Sequence, residues 1–387
     1  MATHCKLDHK FFEGDSKTIA GGDLEARCFR FPTGVEGVRL SNKRGGVTVL
    51  PFQGHQLWHP EFDGIKLSMD SQVKVPIRTT DYLKGYGGFL VLCGARRIGC
   101  PAKGLDDHPL HGELPNAQGY EQVLLSFGED VGGRFVELDG IIWDPSGIDC
   151  KVHYMAVPKT KLYENSTLVD FSLRVENVLN EPMETMVMIH ANGNAPDNST
   201  LECSAPSDPE SVVIRTQDPQ HVIDAWEKES AESDERAAQI RAFREFRDAV
   251  ARNPKLIDRF GKDMLLDPEI VGNYNYRADG EGYAHSMAVF PGGERAYYIR
   301  HNPQQLPIGV RWLRIASGDE GFPVSRAAGV VLPANSGVRG YSTEKFAGNI
   351  PVMDPLETMF YNVSLGLLSN RGEIDAARGR IEEAMAH

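Results

Sequence analysis

The chain predicts an all-β fold, a large antiparallel β-sandwich carrying a helical insertion, and three observations lead there. Short apolar runs rich in β-prone residues recur along most of the 387 residues, separated by Gly, Pro, Asn and Asp. Turns at that density suit a sandwich or barrel better than alternating β and α units. Residues 169–176 alternate strictly, with Val169, Phe171, Leu173 and Val175 set against Asp170, Ser172, Arg174 and Glu176. That pattern puts one face in a core and the other in water. A single segment, 221–267, breaks the rhythm with dense charge and helical spacing.

Strands are expected at 46–50, 88–93, 122–127, 134–138, 148–157, 169–176, 294–300 and 359–367. After the alternating strand, 177–182 supplies turn residues and 185–189 returns as an apolar run. A hairpin should therefore deliver His190 just past the end of a buried strand. In the insertion Ser233 is placed to cap a helix, with Asp234 and Glu235 in its first turn. Ile240, Phe243, Phe246 and Val250 recur on one helical face. Asn253-Pro254 stops that helix, a second short one runs through Leu256, Ile257 and Phe260, and 373–387 is again helical. No internal repeat divides the chain, so 1–387 reads as one domain with the insertion 221–267 packed on the sandwich, either covering a sheet edge or lying as a lid over a site.

Charge and composition exclude several function classes. The 41 Lys and Arg against 54 Asp and Glu leave a net charge of −13. The densest cationic spots are the pairs Lys43-Arg44 and Arg96-Arg97, so no basic stripe exists to neutralise nucleic-acid phosphates. The six cysteines are scattered with no C-x-x-C pair, which argues against a zinc ribbon or a thioredoxin-like site. The charged start, Met1 to Lys10, lacks an apolar signal segment, so free thiols in a reducing cytoplasm are expected. No run approaches the roughly 20 apolar residues of a membrane helix. The expected partner is a small molecule, neither nucleic acid nor membrane. Oligomeric state is not legible, because exposed strand edges are not.

The most informative stretch is Tyr86-Gly87-Gly88-Phe89-Leu90-Val91-Leu92-Cys93-Gly94, followed by His108-Pro109-Leu110-His111-Gly112-Glu113-Leu114-Pro115-Asn116. Paired glycines at a strand edge allow close backbone approach. A histidine between Leu and Gly, with Pro on both flanks, is a side chain aimed by a stiff loop. Read alone, His111 is equally a histidine that caps a turn.

These segments resemble the aldose 1-epimerase (galactose mutarotase-like) superfamily, nearest its poorly characterised aldose-epimerase-like branch. Further matches follow in the same order. Val175-Glu176-Asn177-Val178 and then Ile189-His190-Ala191-Asn192 resemble the family's strand, Asn turn and His…Asn segment. Leu306-Pro307 to Trp312, Val331-Leu332-Pro333-Ala334-Asn335 and Asp354-Pro355-Leu356-Glu357 resemble three later stretches.

The resemblance implies a galactose mutarotase-like supersandwich. It also implies a carbohydrate isomerase or epimerase acting on a free sugar or sugar derivative by acid–base catalysis, without an organic cofactor. Such an enzyme removes the anomeric proton, protonates the ring oxygen, and lets the opened sugar reclose. By motif position His190 would be the ring-oxygen acid and His111 a substrate donor beside it. Asn192, Asn116, Arg97 and His285 become candidate substrate binders. Two departures stand out. Leu332 occupies the place of the family's catalytic Glu, with Glu344, Glu357 and Asp354 as nearby carboxylates, and Glu113 replaces a common Arg.

Glu113 therefore reads as a relocated acid/base group, a partner of His111, or a metal ligand. In the last case His55 and His59 would join His111 and Glu113 around a divalent metal, giving a lyase or ketose isomerase acting on an oxidised sugar. A third reading is a protein that binds carbohydrate without turning it over. Trp58 and Trp312 are candidates either for stacking on a sugar face or for the core.

Overall fold

A computed structural model describes residues 3–216, 218, 220–316 and 322–386. Two antiparallel sheets form a sandwich. One has ten strands, in the spatial order Thr3–Leu7, Gln122–Asp130, Gly133–Trp143, Tyr154–Tyr163, Leu168–Asn177, Thr358–Leu368, Ala296–His301, Ala284–Val289, Ser199–Cys203 and Arg259–Phe260. The other has thirteen. Its central path runs Val212–Ile214, Ile270–Asn275, Ile308–Ile315, Val324–Ala334, Met188–Ala191, Leu90–Cys93 and Leu57–Phe62, then continues through Gly45–Val49, Glu36–Asn42, Leu24–Arg30 and Lys17–Gly21.

The alternation at 169–176 becomes a burial pattern of period two across Leu168–Asn177. Phe171, Leu173 and Val175 enter the inter-sheet core with Leu138, Leu162 and Leu365 of the same sheet. Leu57, Leu90, Leu92, Ile189 and Ala191 meet them from the larger sheet. The pleat then dictates the opposite face of that sheet. Val91, Cys93, Met188, Val310, Trp312 and Leu332 form a second cluster there. His190 has the parity of Met188, so it falls on this outer face as well.

The insertion consists of helix α1, Gln220–Glu232, and helix α2, Asp234–Arg252. Ser233 caps α2 by accepting from the Arg236 N–H at 3.2 Å, and Ile240, Phe243 and Val250 are buried. The C-terminal helix is Arg371–Ala386, with His387 outside the described residues. All six cysteines are free. Among the described residues no helix is long and apolar enough to cross a membrane.

Three sequence expectations are corrected. The strand Leu168–Asn177 and the strand carrying His190 are not a hairpin, because they lie in different sheets. The Asn177 side chain donates to the carbonyls of Glu181 and Asp354 at 2.8 and 2.9 Å, which pins the intervening turn to a distant segment. His190 consequently sits within its strand, Met188–Ala191, and not past its end. The expected strand at 148–157 starts only at Tyr154. Gly147, Asp149 and Cys150 take φ of 66°, 53° and 56°, which no strand accommodates. The short helix expected through Phe260 ends at Ile257, and Phe260 pairs with Ser199 as a strand.

Candidate active site

Two histidines from distant parts of the chain meet on the outer face of the thirteen-stranded sheet. The His111 and His190 ring centroids are 5.2 Å apart, edge to face. Both line a cavity of about 300 Å³. His190 comes from a central strand, paired with Val91 on one side, while Met188 of the same strand pairs with Ala334 on the other. His111 comes from a loop and is held in the left-handed region at φ 60°, a cost for a non-glycine residue that its surroundings must offset. Its backbone N–H donates to Gly99 O at 3.0 Å and its carbonyl accepts from Gly94 N at 3.2 Å. A Cβ on neighbouring Gly112 would lie 1.9 Å from Arg97 O, which is why glycine must follow His111 here.

The protonation pattern at His190 follows from its neighbours. The side-chain N–H of Asn192 donates to Gly88 O at 2.9 Å, so its Oδ1 faces His190 Nδ1 at 2.6 Å. Tyr86 OH donates to the same oxygen at 2.8 Å. An amide oxygen only accepts, so Nδ1 carries the proton and Nε2 keeps its lone pair. Burial pushes the His190 pKa down to about 4, against a smaller upward pull from Asn192. Burial and then the neighbouring His190 also hold His111 well below its ordinary value, with Glu269 opposing them. Both imidazoles are neutral at neutral pH.

Tyr82 packs on His111 with centroids 4.8 Å apart, and Tyr86 on His190 at 5.6 Å. Trp312 lies 5.4 Å from His190, and its indole N–H donates to Glu269 Oε2 at 2.6 Å. The other carboxylate oxygen pairs with Arg215 at 2.5 Å. Burial raises the Glu269 pKa, but Arg215, the Trp312 N–H and Arg314 outweigh it and hold the carboxyl below its ordinary value. The cavity thus contains an ionised carboxylate, bonded to the Trp312 indole and acting on His111.

The other sequence-predicted residues are placed elsewhere. Glu113 does not line the cavity. Its Oε1 accepts from the Arg96 backbone N–H at 2.8 Å and from Tyr154 OH at 2.9 Å, tying the loop to the ten-stranded sheet. Burial raises its pKa. Asn192 is fully buried and orients His190, so it has no free group for a substrate. Asn116 accepts from Gln56 at 2.9 Å and donates to Asp81 O at 3.3 Å, which makes it a loop clamp. Arg97 stacks 3.5 Å over Tyr341 and donates to Arg96 O. His285 lies in the ten-stranded sheet between Tyr298 OH at 2.6 Å and Asp279 at 3.0 Å.

The expected metal set is not assembled. His55 is wholly buried, its Nε2 at 3.0 Å from Thr160 Oγ1 in the other sheet, while His59 is exposed. Among the described residues no group of three or more His, Cys, Asp and Glu could hold a metal ion. Trp58 is core and Trp312 lines the cavity.

Leu332 also lines the cavity, where the resemblance expected a catalytic carboxylate. Glu344 does not substitute, since it is wholly buried and bonded to Arg339 and Asn349. Glu357 accepts from the Asp354 N–H, and neither of these two residues lines the cavity. Sequence reasoning missed Glu269, Arg215, Asp218, Arg314 and Tyr82, and it named none of the insertion's lining residues Val222, Trp226, Glu229 and Arg247. Val222, Trp226 and Glu229 follow i, i+4, i+7 spacing, a signal that α1 turns one face to a partner. The insertion packs beside the edge strand Val212–Ile214, and four of its residues line the cavity.

Comparison with solved structures places the fold. A protein from Klebsiella pneumoniae, named provisionally as an aldose 1-epimerase, aligns with a TM-score of 0.77 at 16% identity, over 100% of this chain and 96% of that one. A galactose mutarotase-like protein from Clostridium acetobutylicum aligns with a TM-score of 0.58 at 12% identity, over 90% of this chain and 100% of the other. The architecture is therefore the galactose mutarotase-like sandwich. No curated protein matches the sequence. Residues 32–249 match a family described as a domain of unknown function, DUF4432. With more than half of its length inside that match, the chain belongs to the DUF4432 family, on a galactose mutarotase-like fold.

Proposed function

We propose that this protein is a carbohydrate isomerase of the epimerase type, acting on the hemiacetal of a free sugar or sugar derivative. The observation that carries the reading is the convergence of His111, His190 and ionised Glu269 in one cavity. With Nδ1 committed to Asn192, His190 Nε2 takes the proton from the anomeric hydroxyl. The hydroxyl and ring oxygens share one carbon, so the same nitrogen returns that proton to the ring oxygen as the C1–O5 bond breaks. Rotation about C1–C2 and reclosure on the other carbonyl face invert the anomeric centre, with no net proton change. Glu269 offsets the transient imidazolium, and a preorganised charge of this kind is worth more in a water-poor site than in solution. His111 hydrogen-bonds the sugar oxygens beside it. His190 thus starts as acceptor, where the sequence suggested an acid.

Saturation-transfer NMR or polarimetry across a panel of aldoses and ketoses tests this. Interconversion above the buffer rate is expected for at least one sugar, with a loss of roughly 100-fold or more in His190→Asn. Buffer rates for every sugar, alongside measurable sugar affinity, would leave a binding protein and end the enzymatic reading.

A further inference from the structure

A second cavity, of about 310 Å³, lies at the end of strand Ser199–Cys203 and shares no lining residue with the histidine cavity. Cys203, Ala205, Ser207, Asp258 and Arg378 are part of its wall. Cys203 is half-buried there. Arg311 reaches it from strand Ile308–Ile315 of the opposite sheet, and its Nη2 donates to Cys203 Sγ at 3.3 Å. The thiol itself faces Ala205 O at 3.9 Å.

Arg311 is 1% exposed, so its charge must be met by protein groups. Nη1 is well supplied, donating to Asp258 Oδ1 at 2.8 Å, Ile257 O at 3.2 Å and Tyr274 OH at 3.3 Å. The other two nitrogens are not. Nη2 meets sulfur, a weak acceptor while the thiol is neutral, and Nε has no acceptor. Nε and Nη2 share one edge of the guanidinium plane, the edge that grips carboxylates in bidentate pairs. A thiolate would give Nη2 a charged acceptor. Oxygen added to that sulfur would give Nε one too, because a sulfinate has the charge and the two-oxygen fork of a carboxylate. Exposure alone would favour oxidation of Cys150, which is exposed. A bonded cation favours Cys203, since the thiolate is the reacting form.

We infer that Cys203 is an oxidation site, at which a small hydroperoxide converts the thiol to sulfenic and then sulfinic acid, held by Arg311. In the first step Sγ attacks one peroxide oxygen. The O–O bond breaks, an S–O bond forms, and the departing hydroxide takes up the thiol proton as water. Sulfur is oxidised and the peroxide reduced. A second peroxide transfers another oxygen to the same sulfur and again leaves as water. The inference is independent of the proposed function.

The full chain, treated with hydrogen peroxide in the presence of dimedone, tests the first step. Dimedone traps sulfenic acid, and peptide mass spectrometry reads each cysteine separately. Cys203 should be trapped about tenfold or more faster than Cys150. Arg311→Met, checked for folding by circular dichroism, should slow trapping at Cys203 by about tenfold or more and leave Cys150 unchanged. A crystal structure of peroxide-treated wild type, without dimedone, tests the second. It should show a sulfinate oxygen about 2.9 Å from Arg311 Nε. If the variant fails to fold, the wild-type rates and that structure decide. Cys150 trapped as fast as Cys203, an unchanged Cys203 rate in the folded variant, or oxygens on Cys203 turned away from Arg311 overturns the inference.

Discussion

Replacing Glu269 by Gln separates the site's charge from its shape. The amide keeps an acceptor for the Trp312 N–H, now 2.6 Å from Oε2, and removes the charge that Arg215 meets at 2.5 Å. The Arg215 guanidinium is then left with its side chain only 25% exposed and its carboxylate gone. Breaking a buried pair costs about 3–5 kcal/mol, and the residual exposure of both partners argues for the lower end, about 3 kcal/mol. An unfolding entropy of about 2.1 cal/mol/K per residue over the chain's 387 residues gives about 0.8 kcal/mol/K. The melting temperature should therefore fall by about 4 °C.

Turnover should fall by roughly 10²- to 10³-fold, the range for loss of one preorganised electrostatic partner. Adding Arg215→Met removes the orphaned cation, so the double variant should recover stability but not activity. The pH dependence has a definite sign. Glu269's folded pKa is lowered, so its contribution is present above the unfolded value of 4.5 and disappears as pH falls through the folded one. The stability deficit of Glu269→Gln should accordingly close in acid. Urea denaturation between pH 3 and 7, with polarimetric rates at neutral pH, measures all of this. Turnover within threefold of wild type would refute the assigned charge role, and a double variant no more stable than the single one would refute the ion-pair account.

Three further outcomes are expected. His301 is wholly buried with both ring nitrogens unpartnered, and burial holds its pKa at about 3. His301→Phe should raise stability by about 1 kcal/mol or more, read by urea denaturation. Because the unfolded chain protonates first as pH falls, His301 costs about 1.36 kcal/mol per pH unit between about 6.5 and 3, and the variant should lose one proton's worth of that slope. Asn192→Asp puts a carboxylate against His190 Nδ1 and should raise the imidazole pKa by roughly one to three units, seen by NMR titration and as an upward move of the acid limb of the rate profile. Glu113→Gln keeps acceptors for Arg96 and Tyr154 and lies outside the cavity, so turnover should stay within twofold. A 100-fold loss there would return Glu113 to the catalytic set.

Local pattern in the sequence determined the β class, the inward faces of the strands and the helical insertion with its Ser233 cap. Each depends on period-two or period-3.6 burial and on capping, which act over a few residues. His111 and His190 were legible through ordered motifs. What the tertiary structure decided was pairing and direction. Phe171 and Ile189 are apolar positions of similar strands, yet they face each other across the core from different sheets, because a half-buried strand does not encode its partner. Glu269, Arg215 and Arg247 carry no local signature of a site. They become one only where the loop ahead of Ile270–Asn275, the strand end at Val212–Ile214 and helix α2 are brought over the histidines. The roles of Glu113, Asn116 and Asn192 were decided in the same way, since a polar side chain's task depends on which buried group it must satisfy. That group lies 41 residues from Glu113, at Tyr154.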